Sequence, residues 1–329
     1  MKIINKLNRF GLILVATALY GAVASAQEAD PNYPSREIKF VCGFPAGSGA
    51  DTYVRYYAEK LRPILGRAVV VENRVGANGN IATSYAAKSR PDGYTIYLNA
   101  PSGLAANMHL FKNPGIDSTK ELTVAATLLL QTFMVTISAD KPWKTVADLT
   151  AALREKGDKG SYATNNPTGR VAGAWYKKAM NLNSLEVQYK TGADTLNDLA
   201  SGALDFALHD PVTAIAQQNA GRVRILAVAV KERMKAAPDI PTLHESGARD
   251  IDLPSWWGAM VPMATPKPVI DKINKLFNEV TASEESRAFF AKFGADQLML
   301  SPEQGQKKFL DDYRAWGEYI KLANIEPQG

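Results

Sequence analysis

Phe44-Pro45-Ala46-Gly47-Ser48-Gly49-Ala50-Asp51 is the stretch of this chain best suited to hold a ligand. Glycine lets the backbone turn sharply and approach a bound molecule, because no Cβ stands in the way. The loop follows an apolar run (Ile38, Phe40, Val41, Cys42) and precedes apolar residues at helical spacing (Val54, Tyr57, Leu61, Leu65). A helix starting here, with Asp51 placed to cap it, directs free N–H groups and the positive end of its dipole at whatever fills the loop. The chemistry is that of a carboxylate or phosphate socket. Gly47-Ser48-Gly49 is not G-x-G-x-x-G, and no G-x-x-x-x-G-K-[ST] occurs, so neither nucleotide fingerprint is present.

A second stretch repeats the design. Ser161 to Thr164 reads as a short strand, and Asn165-Asn166-Pro167-Thr168-Gly169 leads into an amphipathic helix with Val171, Trp175 and Ala179 on one face. Arg170 in its first turn has the fork geometry to clamp a carboxylate bidentately. Two helix starts facing one another predict a ligand held between them.

The remaining reactive residue types do not assemble into a catalyst. His209-Asp210 invites a triad with Ser48, but neighbours on an extended segment point to opposite faces, so Asp210 cannot orient His209. One of the pair instead lines a cleft at a strand's carboxyl end, where α/β proteins bind ligands. His109 and His244 lie far apart with no metal-ligand spacing. Cys42, the single cysteine, sits inside a strand as a small apolar filler, and one cysteine allows no intrachain disulfide. Trp256-Trp257 reads as core packing or a domain seam.

These residues need a scaffold, and the alternation of strand and helix signals supplies an α/β one. Val69-Val70-Val71 is a strand, and Ile81 to Ser89 a helix. Pro91-Asp92-Gly93 turns into the strand Tyr94 to Leu98, and Asn99 to Gly103 forms another small-residue loop beside the first. Leu122 to Ile137 is broken by threonines and Gln131 and reads as buried strands. Val223 to Val230 reads as a continuous apolar strand of the buried parallel kind. A proline-punctuated return follows, and the end is helical from Val269 to Leu322.

Lys2, Lys6 and Arg9, the apolar run Phe10 to Val23 and Ala24-Ser25-Ala26 make residues 1–26 a secretory signal peptide. Its apolar run is shorter than the ~20 residues of a spanning helix. The formal charge of +5 includes those three leader residues, and basic residues do not mass in runs, so nucleic acid is excluded as a partner.

Taken in order, Tyr33 to Ile38, Phe44 to Asp51, Val70 to Asn73, Pro91 to Ile96, Tyr189-Lys190-Thr191, Ser201 to Asp205, Pro238 to Thr242, Glu245-Ser246-Gly247 and Thr265 to Pro268 resemble the substrate-binding proteins of tripartite tricarboxylate transporters, the Bug or TctC family. The first loop departs from the family's Pro/Ala-Gly-Gly, and the second lacks its glycine-x-glycine-serine and the histidine that follows. The resemblance implies a periplasmic, monomeric α/β protein with the two-domain Venus-flytrap fold, each domain a mixed, mainly parallel sheet flanked by helices. Domain 1 is expected over 27–135 plus 252–329, and domain 2 over 136–251. It also implies capture of a small carboxylate, a di- or tricarboxylate or an aromatic acid, for a permease of one large and one small subunit. No enzyme activity, cofactor or metal is expected.

Carried over, the ligand-binding residues are Phe44, Ala46, Gly47, Ser48, Gly49 and Asp51 in the first loop, and Thr164, Asn165, Thr168, Gly169 and Arg170 in the second. Ser102, His209, Asp210 and Thr213 face the distal end. Phe44, Tyr162 and Trp175 leave room for an aromatic acid. Two rival readings stand beside this one: a secreted hydrolase or transferase using the same cleft, and a protein presenting its ligand to a membrane sensor kinase.

Overall fold

The computed structural model describes Asp30 and residues 32–190, 192–249 and 251–329. The expected signal peptide over 1–26 lies outside the described residues.

The chain runs β1 (Ile38–Cys42), α1 (Gly49–Leu65), β2 (Val69–Asn73), α2 (Asn80–Ala87), β3 (Thr95–Asn99), α3 (Pro101–Leu110), α4 (Ser118–Glu121) and β4 (Leu122–Gln131). It continues through β5 (Met134–Ser138), α5 (Val146–Lys156), β6 (Ser161–Thr164), α6 (Pro167–Ala179), β7 (Leu185–Gln188), α7 (Gly192–Ala200), β8 (Phe206–His209), α8 (Pro211–Asn219) and β9 (Val223–Val228). The last elements are β10 (Ser255–Pro262), α9 (Lys267–Ala282), α10 (Glu284–Ala291), β11 (Asp296–Gln297) and α11 (Pro302–Leu322).

The strands form two mixed sheets flanked by helices. The first has the order β11-β4-β10-β3-β1-β2 and the second β7-β6-β8-β5-β9. Parallel pairing joins β1 to β2 and β3, with Phe40 opposite Val71 and Ile96, and joins β6 to β7 and β8. The chain passes from the first sheet to the second between β4 and β5 and returns between β9 and β10. The strands flanking these passages, β5 and β10, lie antiparallel inside their sheets. Parallel pairs are therefore a smaller share of each sheet than alternation alone implies. Val223 to Val228 is a correction of the same kind. It pairs antiparallel with β5 at the sheet edge, and Arg224 and Ile225 are partly exposed there.

Local chemistry explains why the two loops sit where they do. Along β1, Ile38, Phe40 and Cys42 enter one core cluster and Val41 the other, as a strand covered on both faces requires. α1 buries Val54, Tyr57 and Leu61 on one face, and Gly66 ends it in the left-handed conformation. α6 is held by Val171, Trp175 and Tyr176. Each sheet thus delivers a short loop and a buried helix start at the carboxyl end of a strand.

Candidate functional site

The carboxyl ends of strands in the two sheets enclose a cavity of about 670 Å³ lined by residues following both. Among the described residues, five helix starts open on it: α1 at Gly49 and Ala50, α3 at Ala100 and Gly103, α6 at Pro167 and Thr168, α7 at Gly192 and Ala193, and α8 at Val212 and Thr213. The first N–H groups of a helix have no intrahelical acceptor, and the dipole adds positive potential. Converging helix starts make the cavity receptive to anions before any cationic side chain contributes.

The first loop is braced by its own side chains. Ser48 is the N-cap of α1, its Oγ accepting the Asp51 N–H at 3.2 Å, so the capping role expected of Asp51 falls to Ser48. Asp51 instead works backwards: its Oδ2 accepts the Gly47 N–H at 2.8 Å and the Arg55 Nε–H at 2.7 Å, and its Oδ1 accepts from Asn73 at 2.9 Å. Burial alone would raise its pKa, but Arg55, Asn73 and the Gly47 amide outweigh it, and the carboxyl lies below its usual value. Gly47 holds φ +78, a conformation glycine adopts without cost. With the Gly47 and Ser48 amides spent on Asp51 and Pro45, the donors left at this socket are Gly49 and Ala50.

The second loop is built the same way. Asn166 caps α6, its Oδ1 accepting the Gly169 N–H at 2.7 Å and its carbonyl the Arg170 N–H at 3.1 Å. Pro167 has no N–H, so Thr168 is the amide left to donate.

Of the residues expected to bind, Phe44, Ala46, Gly47, Ser48 and Gly49 line the cavity, as do Asn165, Thr168, Asp210 and Thr213. Six do not. Asp51 and Gly169 brace their loops. Thr164 is buried, its hydroxyl donating to Glu186 at 3.1 Å. Arg170 turns away from the cavity to ion-pair with the same Glu186 at 3.2 Å, because a half-buried guanidinium follows the nearest carboxylate. Ser102 is fully buried against Ser255.

His209 is buried between two hydroxyls, Thr136 Oγ1 on Nδ1 and Thr195 Oγ1 on Nε2, each at 2.6 Å. Burial pushes its pKa down to about 4, so the ring is neutral and both nitrogens are occupied. Its neighbour Asp210 faces the opposite way, into the cavity, as strand alternation demands. Burial also pushes the Cys42 thiol up to about 12, which removes it as a nucleophile.

Of the expected aromatic residues only Phe44 reaches the cavity. Tyr162 stacks on Phe206, and Trp175 packs against Tyr319. The apolar wall comes from Leu104, Phe133, Trp257 and Phe293, which sequence reasoning missed. Trp257 was legible in principle: it alternates with Trp256, which is fully buried and donates its Nε1–H to Asp312. The charged residues of the lining are Lys190 and Asp210.

The TctC family, described as tripartite tricarboxylate transporter family receptor, matches residues 53–325. A UPF0065 protein of Bordetella bronchiseptica is 28% identical over 96% of this chain and 93% of its own length. Protein BugT of Bordetella pertussis is 26% identical over 94% of each. Among solved structures, the periplasmic binding protein BugD is 31% identical with a TM-score of 0.83, covering 90% of this chain and 100% of that one. Rpa4515 of R. palustris, solved with adipate, is 27% identical with a TM-score of 0.85 over the same shares. A sequence match over residues 53–325, together with two mixed sheets closing on one cavity, leaves one conclusion: the chain belongs to the tripartite tricarboxylate transporter receptor family, TctC.

Proposed function

We propose that this protein is an extracytoplasmic solute-binding protein that captures a small organic carboxylate between two lobes and delivers it to a tripartite tricarboxylate-type membrane transporter. The observation that carries the reading is the convergence of helix starts from both sheets on one cavity, with the Gly49, Ala50 and Thr168 amides free to donate. An orphan amide in a water-poor cavity gains more from an anion than it would in bulk water. Family membership and the adipate held by Rpa4515 support a carboxylate as the anion.

The lobes in this reading are residues 27–135 with 252–329, and residues 136–251. The strands support that division: those of the first sheet lie before 132 or after 254, and those of the second lie between. Secretion through residues 1–26 is part of the proposal. No helix among the described residues is long and apolar enough to cross a membrane. Binding without turnover is also part of it, since both nitrogens of His209 are committed to threonines and leave the cleft without a histidine base.

Titration calorimetry of the purified chain against a panel of small mono- and dicarboxylates tests the reading, with the recovered ligand analysed by mass spectrometry. One-to-one binding of an unmodified acid is expected. Failure of every acid to bind, or recovery of a converted product, overturns it.

A further inference from the structure

Asp210 is the feature of the cavity that carboxylate capture leaves unexplained. Its side chain lines the cavity and lies against Gly49, one of the residues whose amide is free to hold an anion. Its carboxylate accepts the Thr213 N–H at 3.0 Å. Among the described residues no Lys, Arg or His makes an ion pair with it, and the cation of the lining, Lys190, is an exposed residue. Capping α8 does not demand a charge there, because asparagine caps a helix as well as aspartate does. A carboxylate ligand seated on Gly49 would face a second, partly buried carboxylate, and like charges at such range oppose one another.

A ligand with a cation beside its carboxylate removes the conflict. We propose that the captured molecule is a zwitterion, an α-amino acid with an apolar side chain, whose carboxylate takes the loop amides and whose ammonium takes Asp210. In an α-amino acid one carbon separates the two charged groups, which matches an amide socket and a carboxylate in contact across Gly49. Phe44, Leu104, Phe133, Trp257 and Phe293 give the side chain an apolar wall, and among the described residues the lining offers no arginine or histidine to a second ligand carboxylate. Burial raises the Asp210 pKa, an effect that an ammonium at hydrogen-bonding distance opposes.

The inference rests on the carboxylate reading above and sharpens it, so the test separates the two. Calorimetry compares L-phenylalanine with 3-phenylpropanoate, L-leucine with 4-methylpentanoate, and adipate, on the wild-type chain and on Asp210→Asn. In at least one pair the amino acid binds about tenfold or more tighter than its des-amino partner, the worth of a charge-assisted hydrogen bond. In Asp210→Asn that gap closes to about threefold or less, the cap of α8 being kept. A des-amino acid or adipate that binds as well as or better than the amino acids overturns the zwitterion and leaves carboxylate capture standing. A gap that survives Asp210→Asn overturns Asp210 as the partner of the ammonium. Should the variant fail to fold, the wild-type pairs decide alone. Silence from all five acids overturns the apolar zwitterion, while carboxylate capture stands or falls on the wider acid panel above.

Discussion

Asp210, just after β8 of the second sheet, presses so closely on Gly49, which follows β1 of the first, that a methyl group at position 49 would overlap its carboxylate and meet Val212 Cβ at 3.0 Å. The constraint is steric and not conformational, since Gly49 is an ordinary residue of the first turn of α1. Glycine at this point lets the loop after a strand of one sheet touch a helix start that follows a strand of the other. Gly49→Ala should therefore leave each sheet and its helices intact while opposing the approach of Asp210 to α1. Alanine favours a helix over glycine by roughly 0.5–1 kcal/mol, so the melting temperature should hold or rise. Ligand affinity should fall about tenfold or more, equivalent to about 1.4 kcal/mol. Calorimetry and a melting curve on the same sample check this, and unchanged affinity means the apposition is not part of the bound state.

Gly47 poses the opposite problem. Space surrounds it, but its φ of +78 is one that side chains resist. Gly47→Val should cost about 1–2 kcal/mol of stability, more than Gly47→Ala, because a β-branched residue is least tolerant of this region. It should also weaken ligand binding more than Ser48→Ala does, since it disturbs the Asp51 brace that sets the Gly49 and Ala50 amides. Ser48→Ala removes only the cap, worth about 1 kcal/mol. Paired urea melts and calorimetry decide the order.

His209 should make the fold sensitive to mild acid. Its pKa is about 4 in the folded chain, against 6.5 for a free histidine. Below 6.5 the unfolded chain takes up a proton that the folded chain refuses, so stability falls as pH drops from 6.5 towards 4 and flattens below. The loss between pH 7 and pH 5 should be about 2 kcal/mol. His209→Gln, which keeps hydrogen-bonding groups for Thr136 and Thr195, should remove most of that slope. Urea unfolding at the two pH values measures it, and an equal slope in the variant refutes the assignment.

Arg170 should matter to the fold and little to the ligand. Its partner Glu186 also accepts from Thr164, so Arg170→Met leaves a half-buried carboxylate short of its cation. A stability loss of about 1–3 kcal/mol is expected, with affinity changed less than about threefold. A large affinity loss with unchanged stability would restore Arg170 as a ligand clamp.

The strand–loop–helix form of the first loop was legible because its chemistry is local. Glycine spacing, a strand before and a helical stripe after are all contained in residues 38–65, and the fold merely sets them in place. The same holds for the second loop and for the opposite facing of His209 and Asp210, which follows from strand alternation.

What the residues alone could not decide is where each long or polar side chain finds its partner. Arg170 could reach a ligand or Glu186, and only the register of β6 with β7, which sets Thr164 beside Gln188 and Tyr162 beside Glu186, settles the choice. The apolar wall likewise unites Leu104, Phe133, Trp257 and Phe293 from distant segments, with no periodicity to announce it. Local sequence determined the two loops and the helices behind them, because hydrogen bonding within a turn depends on near neighbours. The pairing of Asp210 with Gly49, and with it the character of the cavity, was decided by tertiary structure, because contacts across a cleft depend on how two sheets meet.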